Sequence, residues 1–534
     1  MLNPTPAKKS RSVVKEGDAH KQHQAKDWLR WLAPLAVFLI TILAFLPALE
    51  NGFVGWDDDG NIYDNPHYRG LGWTQLYWMF TTFDMSLYRP VTWVTLGADY
   101  IVWGMNPFGY HLTSIVMHAG SSVLCYFVAL RLLALAQSDA NLYWDCPLWI
   151  GASFGALIFA IHPLRVEPVV WLSARNDVVS GLFYLSSILC YLRAATLGRN
   201  HTTRSYWLAA AVFVFALSLL SKAIGVTLPL VLLVLDIYPL RRLVGGPEKW
   251  FGTEVRRIWW EKMPFFLLAF GLGAIALLAK SSTGALRPVQ QYFLTYRLGQ
   301  AFYGLCFYLW KTLVPVDLSP LYELPYDFDT WMPLFFVCGA IIVLITTAVY
   351  LFRKRYPALL ACWVYYLVVV TPVLGVAQSG PQIVADRYSY LACLSWAILA
   401  GGTLSNFWKY TVEEFSWFSR FMTAPALAIV SVVLGFLTWN QTVVWRNTKT
   451  LWEHVIAVAP DSSIAHFNLG RFYELQSDFE KAIDYYQRAV SINPTLADAH
   501  YDLARLLARR GLHGAAIEHY RVTLQFKPEA VDAY

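Results

Sequence analysis

Three adjacent carboxylates follow directly after a long apolar run of the chain. The segment "GFVGWDDDGNIYDNP" holds Asp57, Asp58 and Asp59, and it comes after "WLAPLAVFLITILAFLPALE". Like charges repel one another, and charge is costly beside a hydrocarbon layer. A polar turn, a helix N-cap and a calcium loop are the ordinary explanations, but the calcium pattern that Asn61 would continue fails at Tyr68, where a bidentate glutamate is required. A carboxylate held by a neighbouring cation can instead act as a general base towards a hydroxyl group.

A second set of charged residues lies in short polar segments between apolar runs. It occurs in "SLYRPVTW", "IHPLRVEPVVWLSARND", "LLSKAIGV" and "ADRYSYL", and comprises Arg89, His162, Arg165, Glu167, Arg175, Asp177, Lys222, Asp386 and Arg387. Single members have ordinary explanations: an arginine can snorkel at an interface, Asp177 can cap a helix, and Arg175 can pair with Glu167. Together, several cations near a carboxylate centre suit an anionic ligand, for which a lipid phosphate is the natural candidate.

The composition indicates that a polytopic membrane protein carries these residues. Of 534 residues, 57% are hydrophobic and 15% are charged, whereas a soluble protein has about 25% charged residues. The apolar residues occur in runs of about 15–22, the length of a bilayer span. Seven cysteines form neither a C-x-x-C pair nor a His/Cys cluster, so we expect no disulfide framework and no zinc site. The net charge of +6 comes partly from a basic segment at 1–28, which we predict to be a disordered cytoplasmic tail without a cleavable signal peptide. We expect no nucleic-acid partner.

The distribution of basic residues predicts how the chain crosses the membrane. The basic tail and four later basic loops are assigned to the cytoplasm. About eleven spans follow, at 29–48, 111–134, 149–162, 178–195, 205–220, 223–239, 263–280, 331–352, 357–376, 389–403 and 422–440. We interpret 90–105 as an interfacial helix and 299–314 as an interfacial or re-entrant segment. The cytoplasmic N-terminus places loop 49–110 on the far side, and an odd number of spans places the C-terminus there as well. Nearly all the charged motifs fall in loops on that side, where nucleotide donors are absent and a lipid-linked phosphate donor fits.

The C-terminal segment contains a repeated pattern. Two windows superpose at a spacing of 34 residues, and the matching pairs are Leu469/Leu503, Gly470/Ala504, Ala482/Ala516, Tyr486/Tyr520 and Pro494/Pro528. Small residues let paired helices approach closely and proline ends each unit, which is the tetratricopeptide pattern. We therefore divide the chain into the tail at 1–28, a transmembrane domain at 29–445 and repeats at 446–534 on the far side of the membrane. A purely architectural role for the repeats is the alternative to binding a partner chain.

These motifs, in this order, resemble a known family. The segments "GFVGWDDDGNIYDNP", "YRPVTWVTLGADYIVWGMNPFGYHLTSIVMHA", "HPLRVEPVVWLSARND", "LLSKAIGVTLPLVLLVLDIY" and "ADRYSYL", followed by the repeats, are similar to those of the transmembrane and tetratricopeptide-repeat O-mannosyltransferases and their bacterial relatives. The resemblance runs from about residue 50 to the end. It implies an all-α fold: a polytopic helical bundle of the GT-C glycosyltransferase type with a C-terminal tetratricopeptide-repeat domain.

The resemblance also implies roles for the charged residues. The family's essential acid in the first extracytoplasmic loop corresponds to Asp57 and Asp58, of which Asp58 is the favoured base. The residues that would bind the donor phosphate are Arg89, Arg175, Lys222 and Arg387. Those that would orient the acceptor or the cations are Asp177, Glu167, Arg165 and His162. No metal ligand and no cofactor is assigned, and participation of a divalent metal stays open.

The resulting hypothesis is an inverting transferase. It moves a mannose-like hexose from a polyprenyl-phosphate donor to a Ser or Thr hydroxyl of an exported protein, and the repeats are a candidate holder of that protein. We expect it among membrane lipids of a bacterial inner membrane with its site on the periplasmic side, or on the lumenal side of the endoplasmic reticulum in a eukaryote. Three alternatives remain: a glycosyltransferase of an envelope glycan or lipid, a non-catalytic adaptor presenting the repeats, and a transporter or flippase.

Overall fold

Nearly all regular structure in the chain is helical. The computed structural model describes residues 29–137, 146–197, 201–243, 245, 250, 252, 255–282, 294–325, 329–375, 380–414 and 418–528. The predicted tail at 1–28 lies outside the described residues. The membrane-region helices are α1 Leu29–Ala44, α2 Trp73–Thr81, α3 Pro90–Trp103, α4 Pro107–Ala136, α5 Cys146–Ile161, α6 Val166–Val170, α7 Arg175–Thr196, α8 His201–Ser221, α9 Leu228–Ile237, α10 Arg256–Ser282, α11 Leu294–Leu313, α12 Met332–Leu351, α13 Pro357–Val370, α14 Ser389–Ala392, α15 Leu394–Glu414 and α16 Phe418–Val444. The remaining helices are α17 Thr448–Val458, α18 Ser463–Leu475, α19 Phe479–Ile492, α20 Ala497–Arg509 and α21 His513–Phe526.

Several helices have the length and apolar composition of membrane spans. Six qualify among the described residues, namely Pro107–Ala136, Leu172–Thr196, Thr202–Ser221, Arg256–Ser282, Met332–Leu351 and Pro425–Val444. Two further pairs qualify if each bent pair is one span: Cys146–Ile161 with Pro163–Val170, bent by 57°, and Asp386–Ala392 with Leu394–Lys409, bent by 52°. The chain is therefore an integral membrane protein by these criteria, but the predicted number of about eleven spans is not confirmed.

The difference in span number has a physical reason. Three predicted spans correspond to the shorter apolar helices Trp31–Ala44, Ala223–Ile237 and Pro357–Val373. At a rise of 1.5 Å per residue such helices cover about 21–26 Å, less than the hydrocarbon core of about 30 Å. The segment 299–314, predicted not to cross, overlaps α11, which ends at Leu313 and is not among the candidate spans. The predicted interfacial segment 90–105 contains α3, in which six of the 14 residues are buried.

The two bent pairs pack against each other, and this packing positions the site. A Cβ atom added to Gly151 of α5 would lie 2.5 Å from the carbonyl oxygen of Gly401 in α15, and one on Gly155 would lie 2.8 Å from that of Ala397. Glycine at these positions therefore allows the two helix backbones to touch. Because both pairs break at the same end of this contact, the short helices beyond the breaks bring Glu167 and Arg387 together.

The repeats form antiparallel helix pairs next to the membrane region. In the first pair, α18 and α19, Gly470 lies against the ring of Tyr486, where a Cβ atom would come within 2.6 Å of the ring. The core of the second pair, α20 and α21, includes the buried residues Leu503, Ala504 and Ala516. The small residues thus lie where the sequence pattern predicted close helix approach.

A small sheet was not predicted from the sequence. Strands β1 (Tyr322–Glu323) and β2 (Gln382–Val384) pair antiparallel, with Tyr322 opposite Val384 and Glu323 opposite Gln382. Strands of two and three residues are too short to show the alternating pattern by which strands are recognised. The sheet nevertheless joins the segment after α11 to the one that carries Arg387.

Candidate functional site

The acidic loop is anchored through its middle carboxylate. Asp58 is 1% exposed. Its Oδ1 accepts hydrogen bonds from the backbone N–H of Ser173 at 2.9 Å and from the Ser173 hydroxyl at 2.6 Å, and its Oδ2 accepts one from the N–H of Val54 at 3.2 Å. Burial raises the pKa of Asp58 to about 6, although these hydrogen bonds oppose the shift. Asp58 therefore ties the loop to the segment before α7.

The neighbouring carboxylate of Asp57 is placed differently. It is partly exposed, and its side chain makes no hydrogen bond or ion pair within the described part of the chain. Burial raises the pKa of Asp57 above its ordinary value, while the positive charges of Arg387 and Arg89 lower it. Asp57 is thus an available carboxylate within electrostatic range of two guanidinium groups. Asp59 is exposed, and burial together with Asp64 raises its pKa.

Arg89 lies buried behind the acidic loop. Its Nη2 donates to the Asn61 side-chain oxygen at 2.5 Å, and its Nη1 donates to the Ser173 carbonyl at 3.3 Å. The guanidinium lies 4.6 Å from the ring centroid of Trp93. Burial lowers the pKa of Arg89 to about 10, a value at which it remains cationic at neutral pH. Its Nε has no hydrogen-bond partner among the described residues.

Ser173 connects these groups, and the sequence analysis missed it. It binds Asp58 through its hydroxyl and N–H, accepts from the Asn61 amide at 3.1 Å and accepts from Arg89 through its carbonyl. The only signal in the sequence is its position two residues before Arg175 in a charged motif. A serine in such a motif has no pattern of its own, because its role depends on a contact across more than 100 residues.

Arg387 and Glu167 form a largely buried ion pair between the two bent helix pairs. Arg387 Nη1 binds Glu167 Oε1, and the Arg387 backbone N–H donates to Oε2 at 2.7 Å. The Arg387 guanidinium lies 5.2 Å from the ring centroid of Trp171. Glu167, predicted to orient a cation, thus fixes the arginine whose charge acts on Asp57.

A second ion pair adjoins the first. Lys222 Nζ lies 2.5 Å from Asp177 Oδ2, and it lies 6.0 Å from the ring centroid of Tyr388. The Lys222 side chain is 19% exposed, more than the 13% of Arg387. Asp177 also interacts electrostatically with Arg387. Asp57, Arg89, Glu167, Asp177, Lys222 and Arg387 therefore make up one group of interacting charges, which we call the central charge cluster.

Arg175 does not have a free guanidinium. It is completely buried, and it forms an ion pair with Asp99. Its Nη2 donates to the Tyr110 carbonyl at 2.5 Å and its Nε donates to the Ser114 hydroxyl at 3.1 Å. All three nitrogens are engaged, so this geometry favours a clamp that joins α3, α4 and α7 over phosphate binding. The alternative pairing of Arg175 with Glu167 is wrong, because Glu167 pairs with Arg387.

His162 and Arg165 lie at the bend between α5 and α6. His162 Nδ1 accepts from the Leu164 N–H at 3.3 Å, which leaves Nε2 to donate to the Thr312 carbonyl at 3.1 Å. Arg165 is buried between the rings of Phe159 and Tyr390, at 5.5 and 5.7 Å from their centroids. Its Nε and Nη1 have no hydrogen-bond partner in the described segments. These contacts shape the bend that carries Glu167.

Aromatic side chains link the acidic loop to the start of the C-terminal region. Trp56 stacks on Trp171 with ring centroids 4.7 Å apart and meets Trp452 edge to face at 5.2 Å. The Gly55 N–H donates to the Thr448 hydroxyl at 2.7 Å, and the Trp452 indole donates to the Gly55 carbonyl at 3.3 Å. The loop that carries Asp57 is therefore held by α17 as well as by the membrane helices.

Among the described residues, no group of three or more His, Cys, Asp or Glu side chains could hold a metal ion. The calcium-like pattern of the acidic loop is not arranged as a site, since the Asn61 side-chain oxygen accepts from Arg89.

Comparisons with known proteins agree with the repeat pattern. Two tetratricopeptide-repeat family models match the chain, over residues 463–496 and 485–518. The prediction of tetratricopeptide repeats in the C-terminal segment is therefore confirmed.

Curated relatives extend the likeness into the membrane region. Protein O-mannosyl-transferase TMTC1 of Homo sapiens is 23% identical over 502 residues, covering 84% of this chain and 53% of that protein. TMTC3 of Mus musculus is 23% identical over 440 residues, covering 75% and 44%. Protein O-mannosyl-transferase tmtc2 of Xenopus laevis is 34% identical over 157 residues, covering 29% and 17%. The chain is related to these proteins, which confirms the resemblance drawn from its motifs, and it spans about half the length of the first two.

One solved structure is also similar. ArnT from Cupriavidus metallidurans, bound to undecaprenyl phosphate, aligns over 94% of this chain and 76% of its own chain, with 15% identity and a TM-score of 0.37.

Proposed function

We propose that this chain is a membrane glycosyltransferase that transfers a mannose-like hexose from a polyprenyl-phosphate donor to a Ser or Thr hydroxyl of a protein. The relatives named protein O-mannosyl-transferases support the reaction class. The observation that carries the proposal is Asp57, an unpaired carboxylate with a raised pKa that lies within electrostatic range of Arg387 and Arg89. A base next to cations is what attack of a hydroxyl on a sugar phosphate requires.

The proposed reaction is a single displacement. Asp57 takes the proton of the acceptor hydroxyl while its oxygen forms a bond to the anomeric carbon of the donor sugar. The bond from that carbon to the phosphate oxygen breaks, and the anomeric configuration inverts. The lipid phosphate leaves with its electron pair, and Arg89, Arg387 and Lys222 stabilise the negative charge that develops on it.

We prefer Asp57 to Asp58 as the base. The Asp58 carboxylate already accepts three hydrogen bonds and is 1% exposed. A carboxylate in that position fits the role of holding the loop. Among the cations, Arg89, Lys222 and Arg387 stay phosphate-binding residues in this proposal, while Arg175 becomes a structural residue. Asp177 and Glu167 orient Lys222 and Arg387, and Arg165 and His162 shape the bend beside them.

The architecture and sidedness belong to the same proposal. We assign the transmembrane part at 29–445 to the GT-C type with about eleven spans, counting the two bent pairs and the three shorter apolar helices as spans. The charge cluster and the repeats at 446–534 then lie on the non-cytoplasmic side, because the basic loops favour the cytoplasm. The repeats are the candidate surface for an acceptor protein.

Reconstitution tests the donor and the acceptor separately. The purified chain in lipid is incubated with polyprenyl-phosphate mannose and a Ser/Thr-rich peptide, and hexose on the peptide is measured by mass spectrometry. Hexose on the peptide that is lost when Asp57 is replaced by Asn supports the proposal. Transfer to a glycan or lipid but not to peptides would overturn the acceptor assignment. Absence of transfer from every polyprenyl-phosphate sugar, with a folded chain, would overturn the reaction itself.

A further inference from the structure

The first repeat helix is bound by a side chain of the membrane region. The carboxylate of Glu323 in β1 lies at the N-terminus of α18. Its Oε2 accepts from the Ser462 hydroxyl at 2.7 Å and from the Ile464 N–H at 3.2 Å, and its Oε1 accepts from the Ser463 hydroxyl at 2.5 Å. A carboxylate there also interacts favourably with the helix dipole and with N–H groups that have no partner within the helix.

Contacts of the strand that carries Glu323 lead to the central charge cluster. The residue before it, Tyr322, donates its hydroxyl to Asp386 Oδ1 at 3.0 Å. Its strand also pairs with β2, whose last residue, Val384, is two residues before Asp386. The next residue after Asp386 is Arg387, which pairs with Glu167 and acts on Asp57. A short series of contacts thus leads from the first repeat helix to this arginine.

We propose that Glu323 is a positioning residue that couples the docking of the repeats to the placement of Arg387. When α18 is docked, the three hydrogen bonds fix Glu323, and the sheet then fixes the segment 382–387. When α18 is released, β1 loses this restraint and Arg387 becomes less well held against Glu167. A segment bound to the repeats can in this way alter the charge cluster without touching it. The catalytic consequence rests on the proposed function, whereas the coupling itself does not.

Hydrogen exchange of the full chain in lipid tests the coupling directly. Glu323→Ala removes all three hydrogen bonds, so amide protection is expected to fall about ten-fold or more at 462–466 and also at 382–388, because loss of a charged hydrogen bond commonly has that effect on local opening. Glu453→Ala is the matched control, since it removes an exposed ion pair with Lys449 on α17, 3.7 Å long. It should change neither segment. Faster exchange at 462–466 with no change at 382–388 would overturn the proposal.

A second variant tests the same coupling if Glu323→Ala does not fold. Ser462→Ala with Ser463→Ala removes two of the three donors and leaves the carboxylate in place. It should raise exchange at 382–388 by less than Glu323→Ala does, whereas the change at 462–466 also includes the loss of the hydrogen bond that Ser462 accepts from the Ala465 N–H. Glu323→Gln, which keeps one carbonyl oxygen as an acceptor, should restore part of the protection. Equal exchange in the parent and the double variant at 382–388 would contradict the coupling.

The catalytic consequence has its own measurement. In a transfer assay the Glu323→Ala variant should lose several-fold in kcat at saturating acceptor, with rescue by Glu323→Gln, because Arg387 is less well placed for the leaving phosphate. Unchanged kcat with altered exchange at 382–388 would overturn the positioning role. A parent chain without transfer activity counts against the proposed function alone, and the exchange pattern then still decides whether the coupling exists.

Discussion

At the scale of single residues, two adjacent carboxylates differ because one is fully hydrogen-bonded and the other is not. Replacement of Asp57 by Asn should lower sugar transfer by about 10²–10⁴-fold, the usual contribution of a general base. The Asn side chain has nearly the same size, so the folded amount should not change. The measurement is hexose transfer per folded molecule. Asp59→Asn is the control, since Asp59 is exposed, and its rate should stay close to that of the parent. A full rate in Asp57→Asn would contradict the assignment.

The raised pKa of the other carboxylate, Asp58, predicts how the stability of the fold depends on pH. Because the folded chain raises the pKa of Asp58 from 3.8 to about 6, the folded state binds this proton more tightly than the unfolded state does. The contribution of Asp58 to stability is therefore fully present below about pH 4 and is lost as the pH rises through about 6. As the pH rises from 4 to 7, the melting temperature of Asp58→Asn should fall less steeply than that of the parent. Equal slopes would show that Asp58 is not the titrating group.

The residue types of the cluster could be predicted from the sequence, but their pairs could not. Clustered acids and unexpected cations identified Asp57, Arg89, Lys222 and Arg387 as members of one group. Which cation is free depends on distant partners: Arg175 pairs with Asp99, which the charge pattern did not single out. Patterns along the chain report composition and period, while a buried ion pair is decided by packing between helices.

At the scale of helices, the Arg175–Asp99 pair joins three of them. Removing one member leaves the other charge buried without its ion-pair partner, which typically costs about 3–5 kcal/mol. Arg175→Met should therefore lower the melting temperature strongly, and adding Asp99→Leu should restore part of the loss, since an apolar pair of similar volume can replace a buried ion pair. Thermal unfolding in detergent measures both. If Arg175→Met melts like the parent but loses donor binding, the phosphate-binding role predicted from the sequence is the correct one.

The positions of the helices followed from the apolar pattern, whereas their breaks did not. Each predicted span between 29 and 440 overlaps an apolar helix of the structure. The bends at 162 and 393 were not predicted, because an apolar run has the same composition whether it is straight or bent. Those bends bring Glu167 to Arg387. The geometry of the site therefore could not be predicted from the apolar pattern, although the helices that carry it could.

At the scale of the whole molecule, the acidic loop depends on a helix that lies about 390 residues further along the chain. Thr448 and Trp452 of α17 hold the N–H and the carbonyl of Gly55, two residues before Asp57. The segment after the last membrane helix is thus part of the wall of the candidate site. The repeats of this C-terminal segment could be recognised from their 34-residue spacing, but that spacing did not indicate the contact between α17 and Gly55.

The double variant Thr448→Val with Trp452→Phe tests this dependence: the first change keeps the side-chain volume, and the second keeps an aromatic ring in the smaller side chain. It removes both hydrogen bonds to Gly55, each worth about 0.5–1.5 kcal/mol, so the loop should open more readily. Exchange of the amides at 54–58 should rise by about ten-fold, and transfer activity should fall because Asp57 is less well placed. Lys449→Ala is the control, since its side chain lies on the outside of the same helix and is 47% exposed. Unchanged exchange at 54–58 in the double variant would mean that the membrane helices alone hold the acidic loop, through Asp58 and Ser173.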